Sequence, residues 1–369
     1  MTTLTAAAPP PASTHSLTEA ALKALVADLL GGGTTVIAPT TAEPGLIEYG
    51  PIRQGSEAVL TGALPRRPLK EAFFPPSEPL FGYRLKQAEV ELSEVPASFS
   101  PRVVLGARPC DAAALEILDR VMGWDYRDEL WFGRRAATTI LALACPGVDG
   151  SCFCTAVGLG PDNPRGADWF LTPVEGGYQV KVLGEKGARL AAAHARHLGE
   201  ARPGAEAETF QRTGRELVQQ NLKVQPARLR SWIESHFEDP LWKSVALRCH
   251  GCGACAFLCP TCHCFDIVDE AEGVDGGTRR RNWDTCQTCL FTLHGSGHNP
   301  RRDQGARYRQ RVNHKFAIYP KRFGEVLCTG CGRCTRACAG GMDLLEVLGA
   351  IDHLAAAPPA AAAPSGGAR

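Results

Sequence analysis

Apolar residues recur at helical spacing from 17 to 30, and the run TTVIA at 34–38 reads as a strand. Two further short apolar runs, RVVLGA at 102–107 and ATTILALA at 137–144, have the pattern of buried strands. Between them, 111–122 (DAAALEILDRVM) opens on an aspartate and repeats its apolar positions every three or four residues, which predicts a helix. Alternating runs on either side of Gly176-Gly177, within 169–183, predict a hairpin. Helices are predicted at 185–198, 208–222 and 227–237. Strands interleaved with helices make 17–235 an α/β domain. The stretch 236–354 shows little strand character, only short helical segments framing loops. Residues 1–16 and 355–369 are biased to Ala, Pro, Gly and Ser and predict disordered tails. The expected fold class is α+β.

Composition adds one unusual feature to this picture. The 369 residues carry 40 Lys+Arg against 39 Asp+Glu, a formal net charge of +1, which argues against a surface that is basic throughout and built for nucleic acid. No apolar run approaches the roughly 20 residues of a membrane span, and the N-terminus lacks a signal-peptide pattern, so a soluble, cytoplasmic protein is expected. Against this ordinary background stand 16 cysteines. Four fall before residue 235 and twelve between 249 and 338. Tight clustering in a long chain without an export signal favours metal ligation over disulfides.

Two motifs carry most of that signal: Cys249-x2-Cys252-x2-Cys255-x3-Cys259-Pro260, and Cys328-x2-Cys331-x2-Cys334-x3-Cys338. Three thiolates at successive spacings of three wrap a loop around one iron–sulfur cubane, and the fourth reaches the other cluster when the motif occurs twice. The spacing therefore predicts two 4Fe-4S clusters. One is held by Cys249, Cys252, Cys255 and Cys338, the other by Cys328, Cys331, Cys334 and Cys259. Zinc is the competing reading, but its sites usually come as two separated C-x2-C pairs. Cys338 is followed by Ala-Gly-Gly where the first motif has proline, which removes no ligand. The 68 residues between Cys259 and Cys328 make this an elaborated, mostly helical version of a two-cluster ferredoxin.

The other cysteines are less determined. Cys262, Cys264, Cys286 and Cys289 lie in the segment between the motifs and read best as thiols packed near the clusters. Cys110 begins a predicted helix after one strand, Cys145 ends the next, and Cys152-x-Cys154 lies on the loop beyond. Strand C-termini are where open α/β sheets gather ligands, and a helix N-terminus should lower the Cys110 thiol pKa. These four are candidates for a third 4Fe-4S cluster, the alternative being unligated structural or redox thiols. Arg279, Arg280, Arg281, Arg301, Arg302, Arg307, Arg309, Arg311 and Lys315 are expected to offset cluster charge or to dock an acidic partner. Tyr308 and Trp283 are thin support for nucleic-acid binding. No G-x-G-x-x-G, Walker loop, Ser/His/Asp set or H-E-x-x-H occurs, and no catalytic residue is predicted. A self-contained redox enzyme built on the N-terminal cysteines is the rival in a different class.

The phrases LGARPCDAAALEILD (105–119), CFC (152–154), CPTCHCFD (259–266), RNWDTC (281–286), GHNPR (297–301), RYRQRVNHK (307–315) and CTGCGRC (328–334) together resemble a dicluster family. It contains the beta subunit of cytosolic nickel–iron sulfhydrogenases and the corresponding iron–sulfur subunit of anaerobic sulfite reductase. The resemblance implies a non-catalytic electron-transfer subunit. Its two clusters would link a partner subunit carrying FAD and the NAD(P) site to a catalytic arm. That arm would be the hydrogenase small and large subunits or, in the alternative, a sirohaem subunit. No nucleic-acid or membrane partner is implied.

Overall fold

In the computed structural model, residues 13–62, 64–95, 98–201, 204–219 and 224–357 are described. The fold is α+β. Eleven strands run through the described residues: β1 Ser13–Thr18, β2 Thr35–Glu43, β3 Leu46–Pro51, β4 Ser77–Lys86, β5 Glu89–Glu94, β6 Arg102–Ala107, β7 Thr138–Leu143, β8 Trp169–Val174, β9 Gly177–Val182, β10 Phe265–Ala271 and β11 Gly276–Trp283. Among the helices of the first half are α1 Glu19–Gly31, α2 Pro109–Met122, α3 Glu129–Ala137, α4 Gly184–Ala193 and α5 Ala205–Gln219. The second half adds α6 Pro226–Ser235, α7 Leu241–Val245, α8 Ala254–Phe257, α9 Gln304–Asn313, α10 Tyr319–Phe323, α11 Arg333–Arg336 and α12 Leu344–Ala356. A π-helical turn, His314–Ile318, joins α9 to α10.

The main sheet has the order β1-β9-β8-β7-β6-β2-β3. Its centre, β2-β6-β7-β8, is parallel, and antiparallel strands close both sides. Alternation along the central strands splits the apolar residues between two layers. Val103, Leu105, Leu141 and Leu143 pack with Leu22, Leu25, Val26 and Leu29 of α1. Val104, Ile140 and Ala142 pack on the other face with Leu115 and Leu118 of α2 and with Phe73, Phe74 and Trp131. Strand β1 takes up Ser13–Ser16, part of the stretch expected to be a tail, by pairing with β9 from Ser13↔Val182 to Thr18↔Gly177. Residues 1–12 and 358–369 lie outside the described residues.

Two features differ from the expected pattern. The second half does contain strands: β10 and β11 form a hairpin, and β11 pairs with β4, so a second sheet of order β10-β11-β4-β5 draws strands from both halves. The halves also share a helical core, in which Leu229, Trp232, Ile233, Trp242, Val312, Phe316, Leu348 and Ile351 receive Phe153 from the loop after β7. Tyr319 adds a second join, its hydroxyl donating to the Ile117 carbonyl at 2.7 Å.

Candidate metal centre

The two cysteine motifs fold into the same local shape. Each begins in a loop, enters a one-turn helix carrying its third cysteine (Cys255 in α8, Cys334 in α11), and places the fourth just beyond. The two one-turn helices touch. Such loops need left-handed backbone, supplied in the second by Gly330 at φ +63° and Gly332 at φ +72°. Their missing side chains also allow a close approach. A Cβ on Gly330 would stand 2.5 Å from the Cys154 backbone, and one on Gly332 would stand 2.4 Å from the Ser151 carbonyl oxygen.

Cys249, Cys252, Cys255 and Cys338 line one cavity, which Cys334, Tyr308 and Arg311 also border. Cys252 is exposed, so this cavity lies near the surface. Cys259 sits deeper, near enough to Cys328 and Cys331 for their charges to interact, and Cys334 lies within the same range of both. Cys255 and Cys334 adjoin, which brings the two groups side by side. All sixteen cysteines are free thiols.

Sulfur spacing decides which kind of metal these residues fit. Tetrahedral zinc with Zn–S bonds of about 2.3 Å holds its sulfurs about 3.8 Å apart. Among the described residues, no three cysteine sulfurs lie within 4.8 Å of one another. The wider spacing suits thiolates at the corners of a four-iron cubane. The compact set is elsewhere: Asp28, His194 and His197 lie within 4.8 Å, with Arg196 paired to Asp28 at 2.5 Å.

Donors and cations surround the sulfurs. Gln304 Nε2 donates to Cys249 Sγ at 3.2 Å, the Met342 amide to Cys338 Sγ at 3.3 Å and the Gly330 amide to Cys328 Sγ at 3.4 Å. Lys315, 2% exposed, places its Nζ 3.3 Å from Cys259 Sγ, 3.2 Å from Thr261 Oγ1 and 3.0 Å from the Leu327 carbonyl oxygen. A hydrogen bond from Cys262, with Lys315 and Arg311 close by, holds the Cys259 thiol well below its ordinary pKa. Burial pushes Cys255 up to about 11, Cys328 to about 12 and Cys331 to about 11. Thiols in that state need a cation to become thiolates, and iron is one.

The basic segment divides by role. Arg279 pairs with Asp269, Arg280 with Glu270, Arg281 with Glu78 and Asp128, and Arg309 with Glu238. Arg307 is spent on the backbone carbonyls of Gln287, Arg301 and Arg302. Arg311 and Lys315 alone of the set are buried against cysteines. Lys70 was not foreseen: it is buried, donates to the Cys262 carbonyl at 2.9 Å and lies 3.9 Å over the Trp283 ring. Arg333, inside the second motif, was likewise missed. It forms a buried bidentate pair with Asp111 at 2.7 and 2.8 Å. The spacing Arg307, Arg311, Lys315, one residue every helical turn, was the available signal for two of these cations; an isolated lysine such as Lys70 offers none.

The segment thiols do not gather at one place. Cys262 bonds to Cys259, Cys264 and Cys286 interact, and Cys289 is exposed. Of the N-terminal four, Cys110 is in the first turn of α2, and Cys145 lies just beyond β7. The expected lowering of the Cys110 pKa does not occur. Burial, with Asp111 next to it, pushes that thiol well up, and outweighs the dipole of the helix N-terminus.

A family profile described as a 4Fe-4S dicluster domain matches residues 248–342. The chain is also 27% identical to sulfhydrogenase 2 subunit beta of Pyrococcus furiosus, over 81% of this chain and 90% of that protein. Among the described residues no helix is long and apolar enough to cross a membrane. The matched domain and the relative, taken with the paired cysteine loops, make this chain an iron–sulfur electron-transfer subunit of the 4Fe-4S dicluster family that includes the sulfhydrogenase beta subunits.

Proposed function

We propose that the chain is the beta subunit of a soluble NAD(P)-linked nickel–iron hydrogenase. In this reading it relays electrons between the hydrogenase small and large subunits and a flavin on a partner subunit. The observation that carries the reading is likeness to a sulfhydrogenase beta subunit over nine-tenths of that relative's length, cysteine loops included. The clusters supply one-electron transfer without proton chemistry. This chain's residues set where they sit and at what potential. Cys249, Cys252, Cys255 and Cys338 hold one cluster, and Cys328, Cys331, Cys334 and Cys259 hold the other. The shared cavity of the first group and the buried grouping of the second support that division. Each fourth cysteine reaching across ties the pair into one unit. Arg311, between Cys255 and Cys334, offsets charge at their junction, and Lys315 does so at Cys259. Exposed Cys252 marks the edge nearest a partner.

Anoxic purification of the tagged protein from its host, with metal and cofactor analysis of what accompanies it, tests the reading. Nickel, FAD and excess iron are expected. Sirohaem with FAD and no nickel would move the chain to anaerobic sulfite reductase. A chain that comes down alone with iron and sulfide would overturn the relay.

A further inference from the structure

The remaining thiols at the end of the main sheet have no part in the two-cluster relay. Strands β6 and β7 are parallel neighbours, so the residues after them emerge side by side. Cys110 follows β6 and Cys145 follows β7. The chain then turns back through Asp149, bonded to the Ser151 amide at 2.8 Å, and delivers Cys152 and Cys154 to the same edge. Cys145 and Cys152 both lie within interaction range of Cys154, and Cys110 lies within range of Cys145. Cys152 and Cys154 are each 8% exposed.

Buried thiols with this neighbourhood are costly as anions, and three guanidinium groups surround them. Buried Arg108 lies by Cys145, Arg333 by Cys110, and Arg336 Nη1 stands 3.9 Å from Cys152 Sγ. Arg336 is itself positioned by Asp149 at 2.8 and 2.9 Å. The loop is also held rigidly. Phe153, 1% exposed, is seated in the helical core, and its amide donates to the Gly330 carbonyl at 2.8 Å. The sulfurs are too widely spaced for a single small ion, as in the paired motifs.

We propose that Cys110, Cys145, Cys152 and Cys154 ligate a third 4Fe-4S cluster, set directly against the second cysteine loop. This rests on the relay reading and extends it. Binding forms four Fe–S bonds and releases four thiol protons. Cys110 lies within range of Cys331, so the third site adjoins the Cys328–Cys331–Cys334–Cys259 site on the side away from Cys252. The chain becomes a row of three centres running from the exposed motif to the C-terminal edge of the main sheet. A single electron lost by one centre is gained by the next.

The test is iron and acid-labile sulfide per chain in the full-length protein purified and reconstituted without oxygen. About 12 of each are expected, against about 8 for two clusters. Cys154→Ser and Cys145→Ser should each lower the count to about 8 and leave the magnetically coupled EPR signal of the other two clusters in place. Should either be insoluble, Cys110→Ser supplies the same readout. A parent with about 8 irons overturns the third site and leaves the relay standing. So does a count of 12 that falls with Cys264→Ser or Cys286→Ser but not with the N-terminal variants, or zinc in place of iron. A parent without iron overturns both.

Discussion

Replacing Lys315 with methionine removes a buried cation beside a sulfur while keeping the volume of the side chain. The Nζ lies 3.3 Å from Cys259 Sγ, but the electron gained on reduction spreads over the whole cubane, so the relevant separation is about 5–6 Å. At an effective dielectric constant of about 20, one unit charge at that range is worth about 3 kcal/mol. For a one-electron couple this converts to roughly 100–130 mV, at about 59 mV per tenfold change. The cation stabilises the more negative, reduced form, so its loss lowers the midpoint potential of the Cys259-ligated cluster. Little penalty in folding offsets the comparison. The Leu327 carbonyl keeps its bond from Thr261 Oγ1 at 2.9 Å, and removing one of the clustered cations relieves its repulsion with Arg311 and Lys70. An EPR-monitored redox titration of the anoxic protein should show one cluster falling by about 100 mV, with Lys315→Arg restoring most of the shift. A shift under about 20 mV, or a rise, would refute the placement of Cys259 as a ligand or of Lys315 as its counter-charge.

Two stability predictions follow from contacts between the halves. Arg333→Ala leaves Asp111 buried without its cation and should lower the apparent unfolding free energy by about 3–5 kcal/mol in denaturant titrations; a loss below about 1 kcal/mol would contradict a desolvated pair. Gly330→Ala combines an unfavourable φ of +63° with a Cβ 2.5 Å from the Cys154 backbone, whereas Gly45→Ala, at φ +79°, meets nothing within 4 Å. The first should cost at least about 2 kcal/mol more than the second, and equal costs would mean that the loops are not in contact.

Much of the first half was legible because its strands are buried on both faces. The run 102–107 is β6, residue for residue, and the Gly176-Gly177 turn separates β8 from β9. The second sheet was not, for a physical reason. Strand β10 is exposed at most of its positions and β5 at all of them, so neither carries an apolar face for a pattern to reveal. The arginines of β11 read as a charge run. Their carboxylate partners lie across strands, on Asp269 and Glu270 of β10 and on Glu78 of β4, where linear sequence does not pair them. At the metal centre, local spacing announced the paired motifs completely, while Lys70 and the Arg333–Asp111 pair arise from contacts far apart in the chain. Cys110 shows the limit of a local rule, since the helix terminus was foreseen and the burial that reverses its effect was not.

The seating of Phe153 in the helical core, with its amide on Gly330, bears on how such a protein comes to exist in a cell. The last cysteine loop to leave the ribosome is packed against a loop made long before it, and Cys259 waits for partners about seventy residues downstream. Metal delivery to that loop is therefore a post-synthetic event, available only once the main sheet has formed and captured the carboxyl-terminal third. A chain cut short before Cys328 keeps its first cysteine triplet but lacks the partners of both fourth positions. Truncated products should thus be recognisable to quality control as iron-poor, without any need for them to be unfolded.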